Sequence, residues 1–439
     1  MNFLGNKANL TAKGGQGAVD QIEIFINFRA LLDGFFILKK NSKTLNGKNM
    51  AKTTFNRRNF LLLGATASLG LAAQALPAHK NKETKKKKII YRTLGKTGIE
   101  VPIVSMGVMR ADNPAILKAA YELGIRHFDT ASGYQDGRNE EMVGQYFKDK
   151  PREEIIISTK IHPPKEGLST DQFIEKFDQS LKRLQMNYVD ILYLHAATDR
   201  AYTLDPRYTE ALRRIKESGK ARFVGVTTHA NMTEVLNAAV DSKFYDVVLT
   251  SYNFRLKDDT ELQNALQRAN DAGLGIVAMK NMAGGYLDKE KKKPVNCKAA
   301  LKWVLSNPLI HTAIPGLTNF EMVKENWEVA QNHDLDEKEK GDLLLAMNEP
   351  GLYCHGCLKC SGQCPKNLPI PDLMRSYMYN YGYSYPAKAQ STVAQLNLSH
   401  NPCDGCVGDC SVECPNGLNV RERITDIARI KLVPTNFLV

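Results

Sequence analysis

Eight of the nine cysteines lie in two short runs near the C-terminus, at spacings that suit metal ligands. The first run reads C-x2-C-x2-C-x3-C-P, and the second repeats it with one inserted residue, C-x2-C-x3-C-x3-C-P. Soft thiolates held on a tight loop favour an iron–sulfur cubane, and the proline after the fourth cysteine turns the chain away. Disulfides and a four-cysteine zinc site are the alternatives, although zinc usually takes two separated cysteine pairs. The spacing therefore predicts two [4Fe–4S] clusters.

The ligand sets follow from a rule for two-cluster ferredoxins, in which the fourth cysteine of each run binds the other cluster. By that rule, one cluster is held by Cys354, Cys357, Cys360 and Cys414. The other is held by Cys403, Cys406, Cys410 and Cys364. The stretch LPIPDLMRSYMYNYG between the runs predicts a helix, and the arrangement resembles that of the α-helical ferredoxins. Cys297 stands apart, and we expect it to be structural.

A second group of reactive side chains follows three consecutive predicted strands. Asp129 ends the second strand, Tyr134 comes just after it, Lys160 ends the third and His195 ends the fourth. Hydride reduction of a carbonyl leaves an alkoxide that must be protonated, and a tyrosine with its usual pKa near 10 is a poor neutral-pH acid–base group. A lysine ammonium would lower that pKa, and a carboxylate would keep the lysine charged and aimed. A histidine could hydrogen-bond the substrate oxygen or share the proton relay.

The elements that must position these residues alternate regularly from residue 89 onward. The predicted strands are IVSMGV, HFDTA, IIISTK, YVDILYLH, RFVGVTT, DVVLTSY, GIVAMK and HTAIPG. The predicted helices are NPAILKAAYELG, NEEMVGQYFK, STDQFIEKFDQSLKRL, RYTEALRRIKE, MTEVLNAAVD, ELQNALQRANDAG, CKAALKWVLS and NFEMVKENWEVA. Eight strand–helix units predict a (β/α)8 TIM barrel, with its chemistry at the C-terminal strand ends. A doubly wound sheet is the alternative, but no GxGxxG follows the first strand.

The blocks HFDTASGYQDGRNEEMVG, IIISTK and YVDILYLH resemble the signature blocks of the aldo-keto reductases. YRTLGKTGIEVPIVSMG resembles the opening hairpin of that family, and IPGLTNFEMVKEN resembles its nucleotide-proximal eighth unit. The resemblance covers residues 91–331 and implies a carbonyl/alcohol oxidoreductase that uses NAD(P). With the cysteine tail and the leader, the chain resembles the subgroup that carries a two-cluster domain and a twin-arginine signal.

The implied nucleotide site departs from the family pattern at several positions. Thr227-Thr228 stands where a Ser-Asn pair is common, Leu249 where a Gln is common, and Met279 where a stacking residue is common. Met322 aligns with the arginine that grips the 2′-phosphate of NADP. These departures argue against a preference for NADP.

Other positions keep the pattern of a nucleotide site. The resemblance assigns Glu325 and Asn326 to the adenine, and Lys280 is a cation that could approach the cofactor or the substrate. Together with Thr227, these three residues are the candidate cofactor-binding residues.

The leader carries the whole charge excess of this 439-residue chain. Residues 1–90 contain 16 Lys and Arg and four Asp and Glu, a surplus of 12 positive charges. This surplus equals the net charge of the whole chain, +12, so the remaining residues are neutral overall. A basic footprint for nucleic acid is therefore absent from the predicted domains. NRRNFLL, with Arg57 and Arg58 ahead of an apolar run that ends in Ala73-Gln74-Ala75, resembles a twin-arginine export signal. A basic-flanked buried helix is the alternative, and the run is too short for a stable membrane span.

These observations divide the chain into five segments. Residues 1–49 read as a gene-model extension, 50–78 as the signal, 79–88 as a basic linker, 89–345 as the barrel, and 346–439 as a small, mainly α-helical ferredoxin-like domain. Export predicts a periplasmic protein, with a cytoplasmic one as the alternative, and partners in the export machinery and among redox proteins.

The leading hypothesis for function is carbonyl/alcohol chemistry on a small molecule in the barrel, with electrons relayed through the clusters. The first rival is an electron-transfer or binding protein whose barrel has lost nicotinamide binding. The second rival is a solute-binding barrel in which the clusters have only a structural, stabilising role.

Overall fold

A computed structural model describes residues 88–349, 351–406 and 410–438. The predicted extension, the signal and all but the last residue of the linker lie outside the described residues. Within the described part, no helix has the length and apolarity needed to cross a membrane.

Eight parallel strands form one sheet in sequence order, preceded by an antiparallel hairpin. The hairpin strands are β1 (Tyr91–Thr93) and β2 (Glu100–Pro102). The sheet strands are β3 (Met106–Gly107), β4 (His127–Asp129), β5 (Ile156–Ile161), β6 (Val189–Leu194), β7 (Ala221–Thr228), β8 (Val247–Ser251), β9 (Gly275–Met279) and β10 (Thr312–Ala313). Parallel bridges between Val104 and Ala313 and between Gly107 and Gly316 bring the first strand against the last. This confirms the predicted (β/α)8 barrel.

Helices follow the strands close to the predicted positions. They are α1 (Pro114–Glu122), α2 (Arg138–Phe147), α3 (Thr170–Leu184), α4 (Arg200–Thr203), α5 (Pro206–Glu217), α6 (Met232–Ser242), α7 (Thr260–Asp271), α8 (Cys297–Ser306), α9 (Phe320–Gln331) and α10 (Glu337–Asn348). Local chemistry sets their starts: Ser169 and Gln172 form a capping box before α3, and Asp205 caps α5 ahead of Pro206. Cys297 is the first residue of α8.

The hairpin plugs the N-terminal end of the barrel. Leu94, Ile99 and Val101 pack against the inward-facing side chains of the strands, among them Tyr193 and Leu249. Because apolar side chains fill this end, a polar ligand can bind only at the opposite, C-terminal end. That is the end at which a barrel of this kind carries its chemistry.

The tail after residue 350 is helical and has a hydrophobic core of its own. Its helices are α11 (Ile370–Tyr377), α12 (Pro386–Ala394) and α13 (Val420–Ala428), and a π-helical turn, Met378–Gly382, extends α11. Leu373, Tyr377, Val393 and Ile424 are buried in this core. Barrel and tail belong to one compact unit, Thr84–Val439.

Candidate active site

An ion pair lies at the C-terminal end of β4 and β5, closed off from solvent. Lys160 Nζ is 2.5 Å from Asp129 Oδ2, and the two side chains are 1% and 3% exposed. Lys160 also donates to the Thr130 carbonyl at 2.6 Å. Ser158 Oγ donates to Asp129 Oδ1 at 2.6 Å and lies 3.0 Å from His127 Nε2. The carboxylate is therefore held on both oxygens, and the ammonium is fixed in one direction.

Tyr134 and His195 stand above this pair. Lys160 Nζ is 5.0 Å from the centre of the Tyr134 ring, and the rings of Tyr134 and His195 are 6.1 Å apart in an edge-on arrangement. Tyr134 opens a tight turn whose next two residues, Gln135 and Asp136, have left-handed backbones. The Gln135 amide donates to the carbonyls of residues 109 and 111, which anchors the turn. The structure thus brings together all four residues predicted to be catalytic.

The pKa of Tyr134 moves in the opposite direction from the one expected from its lysine neighbour. Burial, then the charge of Asp129, raises the pKa of Tyr134 well above its usual value. The buried ring and the nearby carboxylate both disfavour the phenolate, while the Lys160 ammonium is paired with Asp129 and hydrogen-bonded to the Thr130 carbonyl. Tyr134 is therefore a neutral phenol at physiological pH.

Three histidines surround the mouth of the barrel, and all three are neutral. Burial, followed by neighbouring positive groups, lowers the pKa of His195 and of His229 well below the usual value, and burial lowers that of His162. His162 Nδ1 donates to the His195 carbonyl at 3.1 Å. A neutral His195 has one ring N–H, with which it can donate to a carbonyl oxygen without carrying charge.

The tail contributes side chains to this site. Arg375 Nη1, on α11, lies 2.6 Å from His229 Nε2. His229 is the first residue after β7. Tyr379, in the π-helical turn, acts on the pKa of Tyr134, and Lys388, on α12, acts on that of His195. The tail helices therefore lie across the C-terminal mouth of the barrel.

Two glycines permit this close contact. A Cβ atom on Gly356, whose φ is +74°, would lie 2.2 Å from the His229 carbonyl oxygen, and Asn231 N donates to the Gly356 carbonyl at 2.7 Å. A Cβ atom on Gly284 would lie 2.1 Å from the Tyr353 ring. Residues next to the first cysteine run are thus packed directly onto the loops after β7 and β9.

The candidate cofactor residues divide into two groups. Thr227 is fully buried, and its hydroxyl accepts from Ala196 N at 2.8 Å, so it shapes the loop that follows His195. Lys280 has a left-handed backbone and faces the tail. Its pKa is lowered to about 7, first by burial and then by the charge of Arg375, while Cys354 opposes the shift. These two residues lie at the mouth of the barrel.

Glu325 and Asn326 lie on α9, away from the catalytic four. Glu325 is exposed, and it acts on the pKa of Cys297. Asn326 is buried; its amide nitrogen donates to the Met322 carbonyl at 2.8 Å, and its Oδ1 has no partner among the described residues. Ser251 Oγ, at the end of β8, is likewise buried and unpartnered there. A nucleotide offers the donors and acceptors that such atoms require, so this donor set fits NAD(P).

The cysteines gather in the tail core, and the two runs cross. The pKa of Cys360 is raised to about 11 by burial and by Cys354, Cys357 and Cys414. The fourth cysteine of the second run therefore lies with the first three of the first run. Near the crossing, Glu413 N donates to the Gln363 side chain at 2.7 Å.

The first three cysteines of the second run lie near one another. Burial raises the pKa of Cys403, with further contributions from Cys406 and Cys410. Across residues 88–349, 351–406 and 410–438, no three His, Cys, Asp or Glu side chains are arranged to hold a metal ion. The two [4Fe–4S] clusters therefore stay a prediction from the cysteine spacing.

Five residues at the site were not predicted from the sequence: His162, His229, Arg375, Tyr379 and Lys388. The first two directly follow strands, so the strand-end rule that selected His195 could also have selected them. The other three lie in the tail, where no local pattern indicates that they face the barrel.

Comparison with known proteins agrees with this geometry. The model of the aldo/keto reductase family matches residues 103–299. L-galactose dehydrogenase from Arabidopsis thaliana is 31% identical over 283 residues, which cover 54% of this chain and 87% of that protein. L-glyceraldehyde 3-phosphate reductase from Escherichia coli is 32% identical over 227 residues, covering 45% and 62%.

Two further similarities concern other functions and the fold. A probable voltage-gated potassium channel subunit beta from Arabidopsis thaliana is 28% identical over 298 residues, which cover 54% of this chain and 89% of that protein. The holo form of an aldo-keto reductase from Bacillus halodurans superposes with a TM-score of 0.51 at 22% identity, covering 61% of this chain and 100% of that one. At this identity the superposition shows the fold alone.

Proposed function

The chain belongs to the aldo/keto reductase family, and we propose that it reduces a small carbonyl compound at Tyr134, with two [4Fe–4S] clusters in its tail supplying electrons. As a member of this family it is an oxidoreductase of the carbonyl/alcohol type. The direction, the clusters and the cellular location belong to the proposal.

The observation that carries the proposal is the stack of Asp129, Lys160, Tyr134 and His195 at the barrel mouth. A carbonyl oxygen between the Tyr134 hydroxyl and the His195 ring would accept a hydrogen bond from each. Because Tyr134 is a neutral phenol, it holds the proton that the developing alkoxide needs. Lys160, 5.0 Å from the centre of the Tyr134 ring, keeps the neighbouring Asp129 carboxylate paired while Tyr134 gives up its proton.

Two kinds of cofactor fit the residues present. NAD(P)H, when bound, supplies a hydride, and Asn326 and Ser251 are the residues whose unpartnered oxygens would hold it. The clusters, when bound, would supply electrons one at a time, so reduction of one carbonyl group would take two electrons and two protons, one proton from Tyr134 and one from water. Cys354 acts on the pKa of Lys280, so the first cysteine run adjoins the barrel mouth.

We also propose export by the twin-arginine route. Arg57 and Arg58 precede an apolar run, and this route moves folded proteins, which suits a chain whose clusters are assembled in the cytoplasm. The periplasm keeps no free nicotinamide pool. Electrons would therefore enter through the clusters from a redox partner protein, or a nucleotide would travel already bound.

The experiment uses full-length protein purified without oxygen. Iron, sulfide and extracted nucleotide are quantified, and reduction of a panel of small aldehydes is followed with NADPH or dithionite as the electron source. Tyr134→Phe should lower turnover by about 10²–10⁴-fold because the proton donor is lost. Tyr245→Phe is the matched control: this tyrosine is buried, its hydroxyl donates to the Thr203 carbonyl, and it is not one of the four proposed catalytic residues. An unchanged rate in Tyr134→Phe would remove Tyr134 from the mechanism.

One rival is favoured by a specific observation. The Thr227 hydroxyl is already occupied by Ala196 N, and Leu249 and Met322 offer no polar group to a nucleotide. The barrel could then be a binding or electron-transfer module without nicotinamide. Clusters without bound nucleotide, together with no aldehyde reduction from either electron source, would establish this alternative.

A further inference from the structure

We propose that Arg375 and Lys388, both from the tail, form a binding site for an anionic group of the substrate, a carboxylate or a phosphate ester. The inference rests on the proposed function, since it names the substrate class of the same pocket. It also assigns the tail a role in substrate recognition beside that of carrying clusters.

A contact with His229 places Arg375 at the barrel mouth, and Lys388 lies near it. Arg375 Nη1 donates to His229 Nε2 at 2.6 Å. Arg375 and Lys388 both act on His195, whose ring faces Tyr134. An anion that touches both cations would therefore lie near the His195 ring, which faces Tyr134.

The charges around the pocket leave these cations undercompensated. Lys388 makes no ion pair with any described residue, although Asp136 lies near enough to act on its pKa. Arg375 pairs with Asp372 on its own helix. On the barrel side, the Asp129 carboxylate is taken by Lys160.

Burial makes it costly to keep a positive charge on Lys388, which forms no ion pair with a described residue. Desolvation is the largest cause that lowers the pKa of Lys388, and Arg375 lowers it further. Lys280 adds a third cation without an ion pair among the described residues, and it lies toward Cys354. Partly buried like charges are retained where a ligand of opposite charge offsets the repulsion. The three histidines are neutral and cannot supply or absorb this charge.

The test measures binding without any electron source, so it is independent of catalysis. Benzoate and benzamide have nearly the same shape and differ in charge, and their affinities for the full-length protein are compared by calorimetry or ligand-observed NMR. We expect the wild type to bind benzoate at least roughly tenfold more tightly than benzamide. Inorganic phosphate and acetate are then used as competitors. Stronger displacement by phosphate identifies a phosphate ester as the substrate group, and stronger displacement by acetate identifies a carboxylate.

Three variants locate the site. Arg375→Gln and Lys388→Gln should each reduce the preference for benzoate by roughly tenfold. Lys388→Gln removes no ion pair, so it is expected to fold even where Arg375→Gln does not. Lys182→Gln, on the exposed face of α3, changes the net charge equally and should keep the preference.

Equal binding of benzoate and benzamide by the wild type would overturn the inference. So would a preference that survives Lys388→Gln unchanged. If benzoate binding depends on Lys388 while no aldehyde is reduced, the anion site stands and the proposed reduction fails.

Discussion

Removal of the Asp129 carboxylate should destabilise the protein strongly and in a pH-dependent way. In Asp129→Asn the amide can still accept from Ser158, so the change isolates the charge. Breaking one side of a buried ion pair typically costs about 3–5 kcal/mol. An upper limit comes from Lys160 itself, since losing its proton at pH 7 from a usual pKa of about 10.4 costs about 5 kcal/mol. We therefore expect a loss of about 3–5 kcal/mol at pH 7.

The sign of the pH dependence follows from Lys160. Burial lowers the pKa of Lys160 in the folded state, and Asp129 is the largest influence that opposes the shift. Without Asp129 the pKa of Lys160 in the folded state falls further. The pH range in which Lys160 is protonated in the unfolded chain but not in the folded one then becomes wider. Stability of the variant should then rise with pH, by up to about 1.4 kcal/mol per unit, more steeply than that of the wild type.

Urea unfolding at pH 6.5 to 8.5, followed by circular dichroism, measures both effects. Glu339→Gln is the matched control, because Glu339 and Lys302 form another buried pair, 9% exposed on each side, outside the site. It should destabilise without abolishing turnover. Adding Lys160→Met to Asp129→Asn should recover at least about half of the stability. The reasoning would be refuted if the unfolding free energy of Asp129→Asn lay within about 1 kcal/mol of the wild-type value. It would also be refuted if the unfolding free energy of the two proteins changed equally with pH.

Three further predictions concern the tail and the leader. Cys414→Ser should remove the cluster of the first cysteine run while the other remains, as seen in iron content and electron paramagnetic resonance; loss of the second cluster instead would contradict the crossing. Gly356→Ala should loosen the tail and cost about 1–3 kcal/mol, because its Cβ would lie 2.2 Å from the His229 carbonyl and its φ is +74°; unchanged unfolding and protease resistance would argue against this contact. Replacing Arg57 and Arg58 by Lys should keep the protein in the cytoplasm with its clusters intact, and an uncleaved cytoplasmic wild type would end the export hypothesis.

Periodicity was sufficient to predict the barrel because each strand–helix unit repeats the same local rule. The helix predicted from CKAALKWVLS, for example, spans Cys297–Ser306. Strand ends in a parallel barrel meet at one rim, so Asp129, Lys160 and His195 could be grouped without a distance. Their spacing along the chain carried no information about burial. For that reason the predicted direction of the Tyr134 pKa shift was wrong: the shift depends on the burial of the ring and on the nearby Asp129.

Long-range contacts could not be predicted in the same way. Arg375 reaches His229 across 146 residues, and nothing in the local pattern of α11 distinguishes that side chain from an exposed one. Thr227 was predicted to bind a cofactor, and this stays a prediction; in the structure its hydroxyl accepts from Ala196 N and so holds the loop after His195. A hydroxyl at a strand end can form a hydrogen bond with a ligand or with a backbone group. Which of the two it meets depends on the residues packed around it, and the local sequence does not show these.

The crossing of the tail over the barrel mouth has a consequence for biosynthesis. The strands that carry Asp129 and Lys160 leave the ribosome early, whereas Arg375 and Tyr379 emerge only after the last barrel strand. The catalytic ion pair is thus built into a barrel whose mouth is still open to water, and the chemistry-bearing pocket is the last part of the protein to be completed. A chain interrupted before the tail would contain Asp129, Lys160 and His195 and still lack Arg375 and Tyr379, so the lining of the barrel mouth is complete only once the tail has been synthesised.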